Sequence, residues 1–148
     1  MAAQRPVVLG MGRPEAADDG AGPLLVRLLV GRTSAVLYNA ATAPENFVGP
    51  VAAARPDVVL LVDAVHFNAP VGSVRLFRPG ELEETDFTTH GMSPELFLNF
   101  LTARTGAVCL VLGIQPGTLG SETEMSAPVR LAVQTVAGAL ARLFPPAV

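Results

Sequence analysis

Lysine and tryptophan are absent from this sequence of 148 residues, and cysteine occurs once. Without lysine there is no residue to form a Schiff base with a carbonyl substrate, and none to serve a phosphate-binding P-loop. The single cysteine, Cys109, excludes an internal disulfide and a zinc site built from several cysteines. These absences exclude Schiff-base enzymes, P-loop enzymes and cysteine-rich zinc proteins.

Positive charge is sparse and scattered along the chain. The ten basic residues are all arginines, thirteen residues are acidic, and the formal net charge is −3. Because phosphate binding needs a concentrated basic face, we expect no nucleic acid partner.

Long apolar runs are also missing. Arg, Asp, Pro or Gly interrupts every hydrophobic stretch before it reaches about 18 residues, the least that a transmembrane helix requires. The first residues lead directly into a strand-like segment, without the apolar region and cleavage site of a secretory signal. We therefore expect no membrane association and a cytoplasmic location.

The chain nevertheless contains enough apolar residues for a packed core. Half of the residues are hydrophobic and 16% are charged, a composition that excludes intrinsic disorder. Because we find no linker, internal repeat or low-complexity segment, we expect a single domain over residues 1–148.

Apolar strand-like segments alternate with helix-like segments. Strands are predicted over residues 6–11, 34–39, 58–64, 72–78 and 107–114. Helices are predicted over residues 21–30, 44–54, 93–105 and 126–144, with Asp18 or Asp19, Ser93 and Ser126 as N-caps. This alternation predicts an α/β three-layer sandwich: a five-stranded, mostly parallel sheet with helices on both faces.

The fourth predicted strand is expected to run against the others. It follows the third after about eight residues, whereas a parallel crossover needs a dozen or more. The chain must then return to the opposite edge, so the helix over residues 93–105 begins at the carboxyl edge of the sheet.

Three polar residues belong to that carboxyl edge, where open α/β sheets hold their functional sites. Asp19 follows the first strand, Asp63 ends the third, and His90 precedes the helix that begins there. If the first and third strands are neighbours, the two carboxylates converge. Two carboxylates and an imidazole suit a borderline transition metal such as nickel or zinc. The sequence therefore predicts a metal site at this edge.

Each of these residues also has a structural interpretation, which the sequence leaves open. Asp18 and Asp19 suit a helix N-cap. Asp63 could be a hydrogen-bonded structural aspartate, and His90 an ordinary loop histidine. His66, in the loop expected after the third strand, is favoured as a surface residue and kept as a spare ligand.

Two enzyme motifs are incomplete. Gly10-Met11-Gly12 begins like a dinucleotide-binding loop, but Glu15 stands where the third glycine is required. Ser34 and Ser121 lack the surroundings of a hydrolase nucleophile. We therefore expect no tightly bound organic cofactor and no Ser-His-Asp triad.

Several short motifs, in their order and spacing, resemble the hydrogenase maturation endopeptidases over nearly the whole chain. These enzymes trim the C-terminus of the large subunit of nickel-iron hydrogenases. The motifs are Gly12 with Asp18-Asp19-Gly20-Ala21-Gly22-Pro23, Thr42-Ala43-Pro44-Glu45-Asn46, Leu61-Val62-Asp63-Ala64, Thr88-Thr89-His90 and Gly113-Ile114-Gln115-Pro116. The Ala-Pro-Glu-Asn and Gly-Ile-Gln-Pro segments are most similar to the branch that serves formate-linked hydrogenases.

The resemblance implies a monomeric, aspartyl-type endopeptidase that removes the C-terminal tail of a large-subunit precursor. In the family, an acidic residue after the first strand, an aspartate ending the third and a histidine before a helix contact nickel. The corresponding residues here are Asp19, Asp63 and His90, which become the metal-contacting and catalytic residues. The nickel belongs to the precursor, whose cysteines hold it, so the substrate itself supplies the metal.

Two positions depart from the family pattern. Arg13 stands where an asparagine usually follows the glycine of the first loop, and Asn39-Ala40-Ala41 replaces an Asp-Gly-Gly at the end of the second strand. Neither change touches Asp19, Asp63 or His90. Either one can alter substrate choice or lower activity.

Two competing hypotheses belong to other functional classes. A phosphoacceptor receiver domain also has an acidic pair after its first strand and an aspartate ending its third, but it needs a lysine that this chain lacks. A non-catalytic protein that binds a metal or the precursor on the same fold is the other alternative, favoured by Arg13 and Asn39.

Overall fold

The computed structural model describes residues 4–14, 16–83, 85–87, 93–117 and 124–147. Strands and helices alternate through these ranges: β1 (Pro6–Met11), α1 (Ala21–Leu29), β2 (Val36–Ala41), α2 (Val48–Ala53), β3 (Val58–His66), β4 (Val74–Phe77), β5 (Asp86–Phe87), α3 (Pro94–Thr105), β6 (Val108–Ile114) and α4 (Ala127–Leu143). Short 3-10 turns cover Ala17–Gly20, Pro44–Phe47 and Pro79–Glu81. Within the same ranges, no helix combines the length and apolar character needed to cross a membrane.

The strands form a mostly parallel sheet in the order β2-β1-β3-β6-β4. β1 lies between β2 and β3, and β6 beside β3, all parallel. β4 runs antiparallel to β6, as its short connection predicts. The five predicted strands and the antiparallel direction of the fourth are therefore confirmed. The first and third strands are neighbours, the condition under which Asp19 and Asp63 were expected to converge. The additional strand β5 pairs with the end of β3 and is too short to be predicted from the sequence.

Helices cover both faces of the sheet, because the strands are apolar on both sides. Alternate residues of β1 divide between two cores: Val8 faces α1 and α4, whereas Val7 and Leu9 face α2 and α3. β3 divides in the same way, with Leu60 on the first face and Leu61 on the second. Period-two burial on each strand gives the predicted three layers.

The start of α1 lies against the ends of β1 and β3 because glycine permits it. A Cβ on Gly22 would come within 2.2 Å of the carbonyl oxygen of Met11 and 2.6 Å of that of Val62. A Cβ on Gly10, in β1, would come within 2.6 Å of the carbonyl oxygen of Gly22. No larger residue fits this contact, which holds the preceding turn at the carboxyl edge.

The N-termini of the helices contradict one predicted N-cap and confirm two others. The N-cap of α1 is Gly20, and neither Asp18 nor Asp19 caps it, because both lie inside the 3-10 turn Ala17–Gly20. Ser93 and Ser126 are the N-cap residues of α3 and α4, as predicted, although neither side chain makes a capping hydrogen bond. Each of these two helices has a proline in its first turn, and proline removes one of the amide donors that a cap satisfies.

Candidate functional site

Asp19 and Asp63 both lie at the carboxyl edge of the sheet, where the neighbouring parallel strands β1 and β3 meet it. Asp19 belongs to the 3-10 turn that follows β1, and this turn contacts β3. The pairing of β1 with β3 ends at Val62, so Asp63 is the first residue of β3 beyond that pairing, and it still pairs with Gly113 of β6. β3 continues to His66, so Asp63 lies within the strand rather than at its end. Both aspartates are 1% exposed.

The partner of Asp19 comes from the loop after β1. The Nε atom of Arg13 lies 2.8 Å from Oδ2 of Asp19, and the Arg13 amide donates to the same oxygen at 3.3 Å. The Arg13 side chain is 65% exposed. A buried carboxylate is thus neutralised by a guanidinium that approaches from solvent. Oδ1 of Asp63 accepts a hydrogen bond from the amide of Ala64 at 2.8 Å.

His90, the third predicted ligand, lies outside the described residues. Within the described ranges, side chains of His, Cys, Asp and Glu nowhere form a group of three that could hold a metal ion. The structure therefore brings Asp19 and Asp63 to one edge of the sheet, and the histidine contact remains a prediction.

Asp18 has a different environment from Asp19. Its Oδ1 accepts from the amide of Ser126 at 2.7 Å, and its Oδ2 accepts from the amide of Gly117 at 2.8 Å and from the Ser126 hydroxyl at 3.0 Å. Asp18 is 5% exposed. Its carboxylate therefore joins the turn after β1 to both ends of the connection between β6 and α4, a structural role that the N-cap prediction missed.

The side chain of Gln115 contacts both the segment after β3 and the imidazole of His66. Its Oε1 accepts from the amides of Phe67 and Ala69 at 2.8 and 3.3 Å, and its Nε2 lies 3.2 Å from Nδ1 of His66. His66 is the last residue of β3 and is half-buried, whereas the sequence predicted a surface residue in the loop after that strand. A glutamine directly after an apolar strand was the available sequence signal for this contact.

A cleft of about 370 Å³ lies beside the turn Ala17–Gly20 that contains Asp19. Its walls include Ala17 and Gly20 on either side of Asp19, Arg27 of α1, Arg130 of α4, and Asn39 of β2. Asn39 is one of the two positions that depart from the family pattern. The cleft gives a peptide room to lie beside the Asp19 turn.

Comparisons with known proteins agree with this fold. A family profile described as hydrogenase maturation protease (HycI) matches residues 26–143. The hydrogenase 3 maturation protease of Escherichia coli K12 is 34% identical over 133 residues, which span 88% of this chain and 85% of the relative.

Solved structures give the same result. A crystal structure of the NiFe hydrogenase maturation protease HycI from Thermococcus kodakarensis KOD1 superposes with a TM-score of 0.86 at 28% identity, covering 95% of this chain and 92% of the other. A crystal structure of a hydrogenase 3 maturation protease superposes with a TM-score of 0.82 at 32% identity, covering 93% and 90%.

These matches also decide between the functional classes that the sequence left open. They favour neither a receiver domain nor a non-catalytic binding protein, and they agree with the resemblance to the formate-linked branch. The chain belongs to the hydrogenase maturation protease family, and it is a peptidase of hydrogenase processing.

Proposed function

We propose that this peptidase removes the C-terminal tail of a nickel-loaded large-subunit precursor of a nickel-iron hydrogenase. Membership of the family supports a hydrogenase precursor as the substrate, and the relatives in E. coli and T. kodakarensis are named for hydrogenase maturation. The proposal includes a monomeric, cytoplasmic enzyme of the aspartyl type that needs no organic cofactor.

The main support for the proposal is a pair of buried carboxylates, one in the turn after β1 and one in the neighbouring strand β3. Asp19 and Asp63 are each 1% exposed, and both lie at the carboxyl edge of the sheet. Two buried carboxylates at one edge of the sheet keep their charge only where cations or hydrogen-bond donors compensate it, as Arg13 does for Asp19. A divalent ion carried by the substrate would bring further positive charge to this edge, and His90 would complete an oxygen and nitrogen ligand set suited to nickel.

In this proposal, the substrate's ion serves first as a handle. Asp19, Asp63 and His90 take up its open coordination positions, while the precursor's cysteines keep the others. Docking in this way would hold the tail in a fixed orientation, which lowers the entropic cost of reaching the transition state. The cleft beside Ala17 and Gly20 would accommodate the peptide next to the ion.

Two routes to hydrolysis are compatible with this arrangement. The ion would supply Lewis-acid polarisation of the scissile carbonyl or of an attacking water. Alternatively, Asp19 or Asp63 would accept the proton of the water as general base once the other ligands hold the ion. Both routes need ionised carboxylates, and the general-base route also needs the carboxylate within hydrogen-bond reach of the water.

A cleavage assay on two forms of one precursor tests the proposal. The wild-type protein should cut the tail from nickel-loaded precursor and leave nickel-free precursor intact. Asp57→Asn, which alters an exposed aspartate bonded to the Arg5 amide, serves as a matched control and should behave as the wild type does. Equal cleavage of both precursor forms would contradict the docking role of nickel.

A further inference from the structure

The contact between Arg13 and Asp19 has unequal partners. Asp19 is 1% exposed and belongs to the 3-10 turn Ala17–Gly20, whereas the Arg13 side chain is 65% exposed. The Nε atom of the guanidinium lies 2.8 Å from the carboxylate. Arg13 is therefore the solvent-exposed member of a pair whose other member is buried.

The backbone holds Arg13 in this position independently of its side chain. Gly12 has a φ of +133°, and a Cβ there would lie 1.9 Å from the carbonyl oxygen of Asp19, so the loop lies directly against the turn. The Gly12 amide donates to Ala41 at 2.8 Å, and the Arg13 amide donates to Asp19 at 3.3 Å. The guanidinium can therefore leave Asp19 while the loop stays where it is.

We infer that Arg13 is a specificity-determining residue: its guanidinium is a built-in cation that occupies Asp19 until the divalent ion of the substrate displaces it. The inference rests on the proposed contact between Asp19 and that ion. A guanidinium carries one positive charge and is held at an exposed position, where solvent weakens ion pairs. A divalent ion carries twice that charge and bonds the oxygen directly, so it can replace the guanidinium, whereas a metal-free precursor cannot.

The Arg13 contact lowers the affinity of the site for any ion that must displace the guanidinium. A free ion in solution has no other contact with the enzyme to offset this cost, and so binds weakly. A nickel ion presented with the precursor has the additional binding energy of the docked peptide. Arg13 thereby favours loaded precursor over both free metal and empty precursor.

Nickel binding to the full-length protein, measured by titration calorimetry with Ni²⁺ alone, tests this inference. Arg13→Gln removes the charge and should tighten Ni²⁺ binding by roughly tenfold, the size expected for one charge beside a divalent ion at a part-exposed position. Arg13→Met, which keeps the apolar stem, should act in the same direction. Arg32→Gln removes an equal charge beyond the far end of α1 and should change the affinity less than about twofold.

Asp19→Asn distinguishes failure of this inference from failure of the proposed function. If Asp19→Asn weakens Ni²⁺ binding and Arg13→Gln leaves it unchanged or weaker, the ion contact stands and the role of Arg13 is wrong. If Asp19→Asn has no effect on Ni²⁺ binding, the contact at Asp19 is wrong and the role of Arg13 falls with it. Tightening in Arg13→Gln that disappears in the double variant with Asp19→Asn supports both.

Discussion

Asp18 and Asp19 are consecutive, buried and chemically identical, yet they serve two regions of the molecule. The carboxylate of Asp18 accepts hydrogen bonds from Gly117 and Ser126, far away in the chain, and so joins β1 to the connection between β6 and α4. The carboxylate of Asp19 is paired with the exposed side chain of Arg13. The partners in the first region are two backbone amides and a hydroxyl, and the partner in the second is a side chain that is 65% exposed.

Burial alone therefore does not identify a functional carboxylate, since Asp18 and Asp19 are both buried. Two backbone amides and a hydroxyl from Gly117 and Ser126 satisfy the carboxylate of Asp18. An exposed guanidinium compensates Asp19, and under the proposed function a divalent ion replaces it there. Asp19, whose partner is exposed to solvent, is therefore the better candidate for a ligand-binding residue.

The largest expected effect is on cleavage by variants of the second region. Asp63→Asn and Asp19→Asn should each lower the cleavage rate of nickel-loaded precursor by at least about a hundredfold, because each removes a ligand or base at the reacting centre. Rates at saturating precursor, compared with Asp57→Asn, check this. Near-normal rates for Asp63→Asn would remove that residue from the site.

The first region should respond through stability instead. Asp18→Asn keeps the side-chain volume but points an amide group at donors, and should lower the free energy of unfolding by about 3 kcal/mol. Denaturant titration measures this change. The cleavage rate per folded molecule should stay within about threefold of the wild type, because Asp18 is neither a proposed ligand of the ion nor a proposed base. A hundredfold loss of cleavage in a stable Asp18→Asn protein would erase the distinction between the two aspartates.

The contact that holds the second region in place is tested by a pair of glycines. Gly22→Ala should cost about 2 kcal/mol of unfolding free energy, because the new Cβ meets the carbonyl oxygens of Met11 and Val62. Gly49→Ala, in α2, has nothing within 4 Å of its Cβ and should stabilise by about 0.5 kcal/mol. Thermal melts compare the two. Equal effects would mean that α1 does not lie tightly on the sheet.

The smallest expected effect concerns Cys109, which lies in the core away from both regions. Burial raises the pKa of the Cys109 thiol, although a hydrogen bond with Thr102 opposes this. The contribution of this thiol to stability is therefore complete below the pKa of the unfolded thiol and is lost as pH rises through the folded pKa. A thiol reagent at pH 8 should label unfolded protein and leave folded protein unlabelled. Rapid labelling of folded protein would contradict the burial of β6.

Much of the fold follows from local pattern. Continuous apolar runs such as Val58–Val62 predict strands buried on both faces, and the short connection before β4 predicts its antiparallel direction. β5 escapes prediction because it has no pattern of its own and exists only by pairing with the end of β3. Its formation depends on tertiary structure.

The site was predicted less completely, for a physical reason. The position of Asp19 and Asp63 at one edge follows from the strand order, which topology rules anticipate. The partners of buried polar groups depend on residues distant in sequence. Ser126 lies far along the chain from Asp18, so no local motif could replace the N-cap prediction with the actual contact. The contact between Arg13 and Asp19 likewise becomes visible only in the folded structure.

A nickel soak of crystals of the protein, with anomalous diffraction, shows directly whether Asp19, Asp63 and His90 bind one ion. We expect an anomalous peak about 2 Å from a carboxylate oxygen of Asp19, one of Asp63 and a ring nitrogen of His90. A peak elsewhere, or side chains at 19, 63 and 90 lying beyond about 8 Å from one another, would contradict it, because no single ion could then bridge them.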